Sequence, residues 1–344
     1  MQLQVNNIKK NKKSQEIEKY LKRPTEKKLK SDVFGKYMED FTSMAMKSRI
    51  AECGNFIGFL KTVDSEVRLD GGNFCNNRFC PMCAWRKARK DGYLLQTLMA
   101  YINKIHKKEF IFLTLTAPNV QANKLSEEID DFNESWKRMT KLKQVSAINK
   151  GFIRKLEVTY QGDEYVTKEN KRKYENLSIG TKLESYNTYH PHFHVLLAVN
   201  RSYFTDKDYY IPRDEWLSMW QSAKRDSSIT QVDIRRAKMD DFKSVLEIAT
   251  YSAKASEYLL NANVFKVFYN GLKGRQLITF NGLFKDTLKA FKNGDLEEFQ
   301  TVDQNVYVSR EWYKWFDANY VLERADDVLI ENLDKIYKNE IEID

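Results

Sequence analysis

Three of the four histidines in this 344-residue chain fall within one pentapeptide, His190-Pro191-His192-Phe193-His194. The apolar run that follows, Val195-Leu196-Leu197-Ala198-Val199, has the composition of a buried strand. Alternate side chains of a strand share a face, so His192 and His194 are expected side by side, ~7 Å apart along the chain, with Phe193 turned into packing. Two imidazoles in that arrangement can share one metal ion. His190 lies on the same face and competes for a place, although Pro191 can redirect the chain there.

A second constellation is made of sulfur. Cys53, Cys75, Cys80 and Cys83 are all the cysteines of the chain. Cys80-Pro81-Met82-Cys83 is a CxxC knuckle followed by Arg86, Lys87, Arg89 and Lys90. In a reducing compartment this spacing reads as a structural tetrahedral zinc site before it reads as disulfides. Cys53 and Cys75 are not a second CxxC, which leaves that half of the tetrahedron to the fold. No thioredoxin-like context surrounds the knuckle, so a redox role is disfavoured.

The elements that must position these residues follow from periodicity. Residues 110–116, Phe-Ile-Phe-Leu-Thr-Leu-Thr, form a β-branched and aromatic strand. Leu125, Ile129, Phe132, Trp136 and Met139 then recur at helical spacing, predicting a helix to about residue 147. A strand over 152–160, a polar insert over 161–189 (a long hairpin arm or a mobile loop) and the histidine strand over 190–199 come next. A helix over 212–224 carries Trp216 and Trp220, a strand covers 229–236, and a helix covers 240–260. The order β-α-β-β-α-β is that of the ferredoxin-like split βαβ sheet, an α+β fold. It brings strand 152–160 beside the histidines and makes Glu157 the candidate third ligand of a 2-His-1-carboxylate set.

On the last helix, Glu247, Tyr251, Lys254 and Tyr258 form one stripe by i+4, i+3, i+4 steps. A phenol with a carboxylate and an ammonium beside it is a nucleophile with assistance at hand. Tyr258 is a reserve nucleophile, two turns further from the metal.

At this point the chain resembles a known family. Phe112-Leu113-Thr114-Leu115-Thr116, the His192-Phe193-His194 pair, and Glu247-Ile248-Ala249-Thr250-Tyr251-Ser252-Ala253-Lys254 occur in the order of the three motifs of HUH endonucleases. They are most similar to the replication initiator (Rep) proteins of small rolling-circle plasmids from Gram-positive bacteria, as is the cysteine cluster. The resemblance covers about residues 50–260. It implies a Mg²⁺- or Mn²⁺-dependent nickase acting at the plasmid's double-strand origin, with Tyr251 as nucleophile and a 5′-phosphotyrosine intermediate. It implies that Glu247 activates water at termination and that Lys254 stabilises the phenolate or the phosphate. It further implies host helicase and DNA polymerase as partners; homo-oligomerisation stays open. A relaxase or transposase of the same class is the nearest alternative. A non-catalytic zinc DNA-binding regulator is the alternative of another class, and it leaves the histidines and the Glu–Tyr helix unexplained.

Composition is consistent with a nucleic-acid partner. The net charge is +9 and the pI near 9.0, with residues 1–50 holding thirteen Lys/Arg against six Asp/Glu. No apolar stretch long enough to span a membrane and no signal-peptide core is present, which predicts a cytoplasmic protein. No GxxxxGK[ST] loop occurs, so a nucleotide-driven enzyme is disfavoured. The expected organisation is a basic arm (1–50), a four-cysteine zinc module (51–104), an HUH domain (105–262) and a mainly helical C-terminal region (263–344) that binds DNA, pairs subunits or packs on the sheet.

Overall fold

The structure is a computed structural model. It describes the backbone of residues 2–238, 248, 253–300 and 303–331, and side chains from Tyr20 onward. The fold is mixed α+β with antiparallel sheets. The strands are β1 (Phe56–Thr62), β2 (Val67–Gly72), β3 (Lys108–Leu115), β4 (Gly151–Gln161), β5 (Thr188–Asn200), β6 (Val232–Ala237), β7 (Ile278–Gly282), β8 (Tyr307–Phe316) and β9 (Asn319–Ile330). They make two sheets, β2-β1-β8-β9 and β6-β3-β5-β4-β7. The described residues divide into two compact units, those of 2–89 with 300–331, and those of 90–299.

The first unit joins the two ends of the chain. β1 pairs antiparallel with both β2 and β8, and β8 pairs with β9. The β8–β9 hairpin turns on Asp317 and Ala318, both at positive φ (47° and 57°), the twist that a two-residue hairpin requires. The helix Gln2–Tyr37 meets this sheet at Tyr20. Its Tyr20 ring meets Phe59 and Tyr313, and the Tyr20 and Tyr313 hydroxyls both donate to the buried Glu311 carboxylate, at 2.8 and 2.7 Å.

These units do not follow the chain-order division expected from composition. Residues 1–50 are largely helical, in Gln2–Tyr37 and Met44–Ala51. The region after 262 is less helical than expected: it has helices Ala262–Leu272 and Leu283–Asn293 but also β7, β8 and β9. The physical reason is in β8, where Trp312, Tyr313 and Trp315 favour a pleated surface, and Trp312 and Tyr313 pair with β1, more than 240 residues away.

The second unit contains the elements that the periodicity predicts, with small shifts. The expected helix from residue 125 is two, Leu125–Thr140 and Lys143–Ile148, separated by a turn. Leu125, Ile129, Phe132, Trp136 and Met139 are all buried. Phe132 packs edge-on against Phe193 of β5 and against Trp220 of the helix Arg213–Lys224. Lys224, itself buried, ties the two helices together through Glu128 and Asp131, at 2.6 and 2.5 Å. The Trp220 indole donates to the carbonyl of Thr116 at 2.7 Å, fixing the end of β3. Both helices therefore cover the Phe193 face of the sheet, and the histidine face is the other one. The insert 161–189 closes on itself through a bridge between Tyr165 and Lys182, with Val166 and Leu183 buried.

Candidate metal centres

The register of β4 against β5 sets the first site. Glu157 lies opposite His192, and Lys155 opposite His194. On the other side of β5, Thr114 of β3 lies opposite His194. The period-2 pleat then puts all five side chains on one face. The Glu157, His192 and His194 ligand atoms lie within 4.8 Å of one another, close enough for one ion to reach all three with small side-chain adjustments. Glu157 Oε2 is 3.3 Å from His194 Nε2.

The second nitrogen of each ring has its own partner. His192 Nδ1 is 3.1 Å from the carbonyl of His190. A carbonyl only accepts, so this nitrogen carries the proton and Nε2 is left with the lone pair that a metal needs. His194 Nδ1 is 3.3 Å from the Thr114 hydroxyl. Burial pushes the His192 pKa down to about 3, which keeps the ring neutral. Burial alone would raise the Glu157 carboxyl. The imidazole of His194 and the charge of Lys155 overcome it and hold Glu157 well below the usual carboxylate range. An ionised carboxylate and a neutral imidazole are the forms in which these groups ligate. The donor set, two nitrogens and a carboxylate, fits Mn²⁺ or a similar divalent ion.

His190 stands apart from that group. Its ring stacks on His192 with centroids 5.1 Å apart, and burial lowers its pKa. Its contribution to the site is the backbone carbonyl that orients His192.

Glu247 and Tyr251 lie outside the described residues. Between them, Ile248 is helical and fully buried. The expected single stripe through Lys254 and Tyr258 does not hold in the described part. Lys254 has extended φ/ψ (−81°, 127°) and caps a separate short helix, Ala255–Tyr258. Its ammonium is exposed, 3.8 Å from Glu257 Oε1. Tyr258 is 1% exposed, with its ring against Phe265 and Phe268, so burial removes it as a reserve nucleophile.

Two residues had drawn no role from the sequence. Lys155 is fully buried, its Nζ 3.3 Å from Glu157 Oε2. Its place on the Glu157 face was readable from alternation, but not its burial. Glu257 Oε2 accepts the Tyr160 backbone N–H at 2.9 Å, anchoring the segment that follows Tyr251 to β4.

The four cysteines form the second centre. All are buried, and their sulfurs lie within 4.8 Å of one another. Cys53 Sγ is 3.5 Å from Cys80 Sγ and 3.6 Å from Cys83 Sγ, and Cys75 Sγ is 3.6 Å from Cys83 Sγ. A disulfide would need ~2.05 Å. A tetrahedron of ~2.3 Å Zn–S bonds has edges of about 3.8 Å, close to those observed. Pro81 opens the helix Pro81–His106, where its missing N–H costs nothing, and the first turn presents Cys83 toward Cys80. The Cys75 N–H donates to Cys53 Sγ at 3.4 Å, and Ser31 Oγ lies 3.1 Å from Cys80 Sγ. Burial opposes a Cys80 thiolate, but hydrogen bonds from the other three thiols and Ser31 hold its pKa well below the usual value. The donor chemistry and spacing fit zinc.

Among the described residues no helix is long and apolar enough to cross a membrane.

Comparison with known proteins gives the class. The family model described as "Replication protein" matches residues 66–321, a span that includes His192, His194, Glu157 and all the cysteines but Cys53. The chain belongs to this family of replication proteins. Its relatives include a "Protein rep" of Staphylococcus aureus, 42% identical over 71% of this chain and 96% of that one. Others are "Protein rep" of Bacillus amyloliquefaciens, 31% identical over 79% and 78%, and of Streptococcus pneumoniae, 32% identical over 76% and 78%. These bear out the resemblance to Rep initiators read from the motifs. No solved structure matches the chain.

Proposed function

We propose that this chain initiates rolling-circle replication of a small plasmid by nicking one DNA strand at the double-strand origin. The observation that carries the proposal is the convergence of Glu157, His192 and His194 on one sheet face of a replication protein. The sheet order β6-β3-β5-β4 supports reading that unit as a ferredoxin-like HUH domain, with β7 added at the edge. A divalent ion held by the three residues would offset charge on the scissile phosphoryl oxygens.

Tyr251 is the nucleophile in this reading. Its phenolic oxygen bonds to phosphorus as the P–O3′ bond breaks. The phenolic proton goes to a base, and the 3′-oxygen leaves to become the priming hydroxyl. The phosphotyrosine link conserves the phosphodiester energy, so strands are rejoined without ATP. Glu247, four residues before Tyr251, activates water when the regenerated origin is cut. Lys254, an exposed ammonium 3.8 Å from Glu257 Oε1, stabilises the phenolate or the phosphate in this reading. Cys53, Cys75, Cys80 and Cys83 would hold a structural zinc ion, and Glu157, His192 and His194 would hold Mg²⁺ or Mn²⁺. The substrate is origin DNA in the cytoplasm, and strand separation is left to a host helicase and extension to a host polymerase.

The test is incubation of the protein with single strands spanning the plasmid's origin, with and without Mn²⁺. The expected result is a metal-dependent covalent adduct, mapped by mass spectrometry to Tyr251 and absent in Tyr251→Phe. Adduct persisting in Tyr251→Phe would place the nucleophile elsewhere. Tight DNA binding with no cleavage would favour a zinc-dependent regulator.

A further inference from the structure

The helix Gln2–Tyr37 carries eleven Lys/Arg against four Asp/Glu, and its sides treat charge differently. On the packed side Leu21, Lys28 and Ser31 are buried, and the lysine among them has its own carboxylate, Asp32, at 2.7 Å. Beside that face Arg23, Lys27 and Lys30 follow at i, i+4 and i+7 and share one stripe. Among the described residues none of these three is in a salt bridge, in contrast to Lys28. Burial and the like charges of Lys30 and Arg23 lower the Lys27 pKa, against a weaker pull from Glu26.

Like charges at these spacings destabilise a helix. The fold supplies no acid to relieve them. Arg23 is exposed and Lys27 and Lys30 are half-buried, the state in which a lysine stem packs while its ammonium stays in water. The stripe is about 10 Å long at 1.5 Å per residue, a rigid row suited to the regular phosphates of a duplex strand. It holds no aromatic ring for stacking on unpaired bases, since Tyr20 is turned into the sheet against Phe59 and Tyr313. A lipid surface would need an apolar face beside the cations, and Leu29 is the one exposed large apolar side chain in the described part of this helix.

We propose that Arg23, Lys27 and Lys30 grip the phosphate backbone of duplex DNA flanking the nick site, without regard to base sequence. This rests on the origin-DNA reading given above, and it assigns the duplex part of that substrate to the unit that holds the cysteines. Such contacts hold a protein on the duplex and fix its orientation, while base contacts choose the site. Lys9, Lys10, Lys12, Lys13 and Lys19 precede the stripe on the same helix and add to the charge that the duplex meets.

The test is binding of the zinc-loaded full chain to a fluorescent random-sequence duplex, followed by anisotropy from about 50 to 200 mM salt. Replacing the three together (Arg23→Gln, Lys27→Gln, Lys30→Gln) should flatten the slope of log affinity against log salt by about 2–3, and weaken binding about tenfold or more at the low-salt end. The melting temperature should stay at or above wild type, because like charges are removed. The control removes Lys285, Lys289 and Lys292, which have the same spacing on the exposed side of the helix Leu283–Asn293, and it should keep the wild-type slope. Equal losses in the two triple variants would reduce the effect to net charge and overturn the proposal. An unchanged slope in the first variant, or weak binding joined to a lower melting temperature, would overturn it as well. Wild type that binds neither this duplex nor origin single strands would instead sink the origin-DNA reading beneath it.

Discussion

The two ligand clusters of this chain are built in opposite ways. The four cysteines are buried, close to tetrahedral spacing, and drawn from a short stretch of sequence between Cys53 and Cys83. The set of Glu157, His192 and His194 has only three donors, drawn from two strands, on the sheet face opposite Phe193 (Glu157 and His194 side chains are 12% and 11% exposed). A closed four-sulfur centre leaves no position for a substrate and suits structure. A three-ligand centre with an open side suits chemistry. The difference teaches where function can be sought: in the cluster that the fold leaves unfinished.

The largest expected effect separates the two on activity. His192→Ala should lower metal-dependent strand cleavage by about a thousandfold or more while leaving the melting temperature near wild type. A variant that keeps cleavage would move the chemistry off this face. Next is the structural half. Stripping zinc under denaturing chelation, or Cys80→Ser, should lower the melting temperature by roughly 10 °C or more, since metal binding there is folding energy. A mild chelator should abolish cleavage without that loss. If both clusters empty together and the fold survives, the contrast between them fails.

A smaller effect is expected at the anchor between β4 and the tyrosine segment. Glu257→Ala should slow adduct formation about tenfold with Mn²⁺ affinity unchanged, and Glu257→Gln, which keeps an acceptor for the Tyr160 N–H, should recover most of it. Amide exchange at Tyr160 provides a readout independent of catalysis and should quicken in the alanine variant. Glu257→Ala matching wild type in both measurements would remove the anchor.

The smallest effect is the pH response of the metal-free chain. His192 titrates near 6.5 when unfolded and about 3 when folded. Its depressed folded value means that stability is whole above pH 6.5 and falls as pH drops toward 3, by about 5 kcal/mol at most. Glu157 works in the same direction at lower pH. Urea titrations at pH 7 and pH 4.5 measure the slope, and its disappearance in His192→Ala assigns it.

Much of the metal face was legible because period-2 alternation and split βαβ order are local signals. They put His192, His194 and Glu157 on one face and Phe193 on the other, as found. The cysteine knuckle was legible from CxxC spacing, but Cys53 and Cys75 needed the fold to bring them in. The β8–β9 hairpin was not legible, since its turn, Asp317-Ala318, carries no glycine signal and its partner β1 is remote in sequence. Fifth strand β7 was missed for the same reason: five residues paired to β4 by register alone. Tyr258 lay on the expected helical stripe only if that helix were continuous, and Lys254 breaks it.

The central claim is that Glu157, His192 and His194 hold the ion that serves strand cleavage. It is tested most directly by pulsed electron paramagnetic resonance of Mn²⁺ bound to protein labelled with ¹⁵N-histidine, under conditions where single strands are being cut. The account predicts two coupled imidazole nitrogens in wild type and one in His194→Ala. Active enzyme whose Mn²⁺ shows no histidine coupling would contradict it.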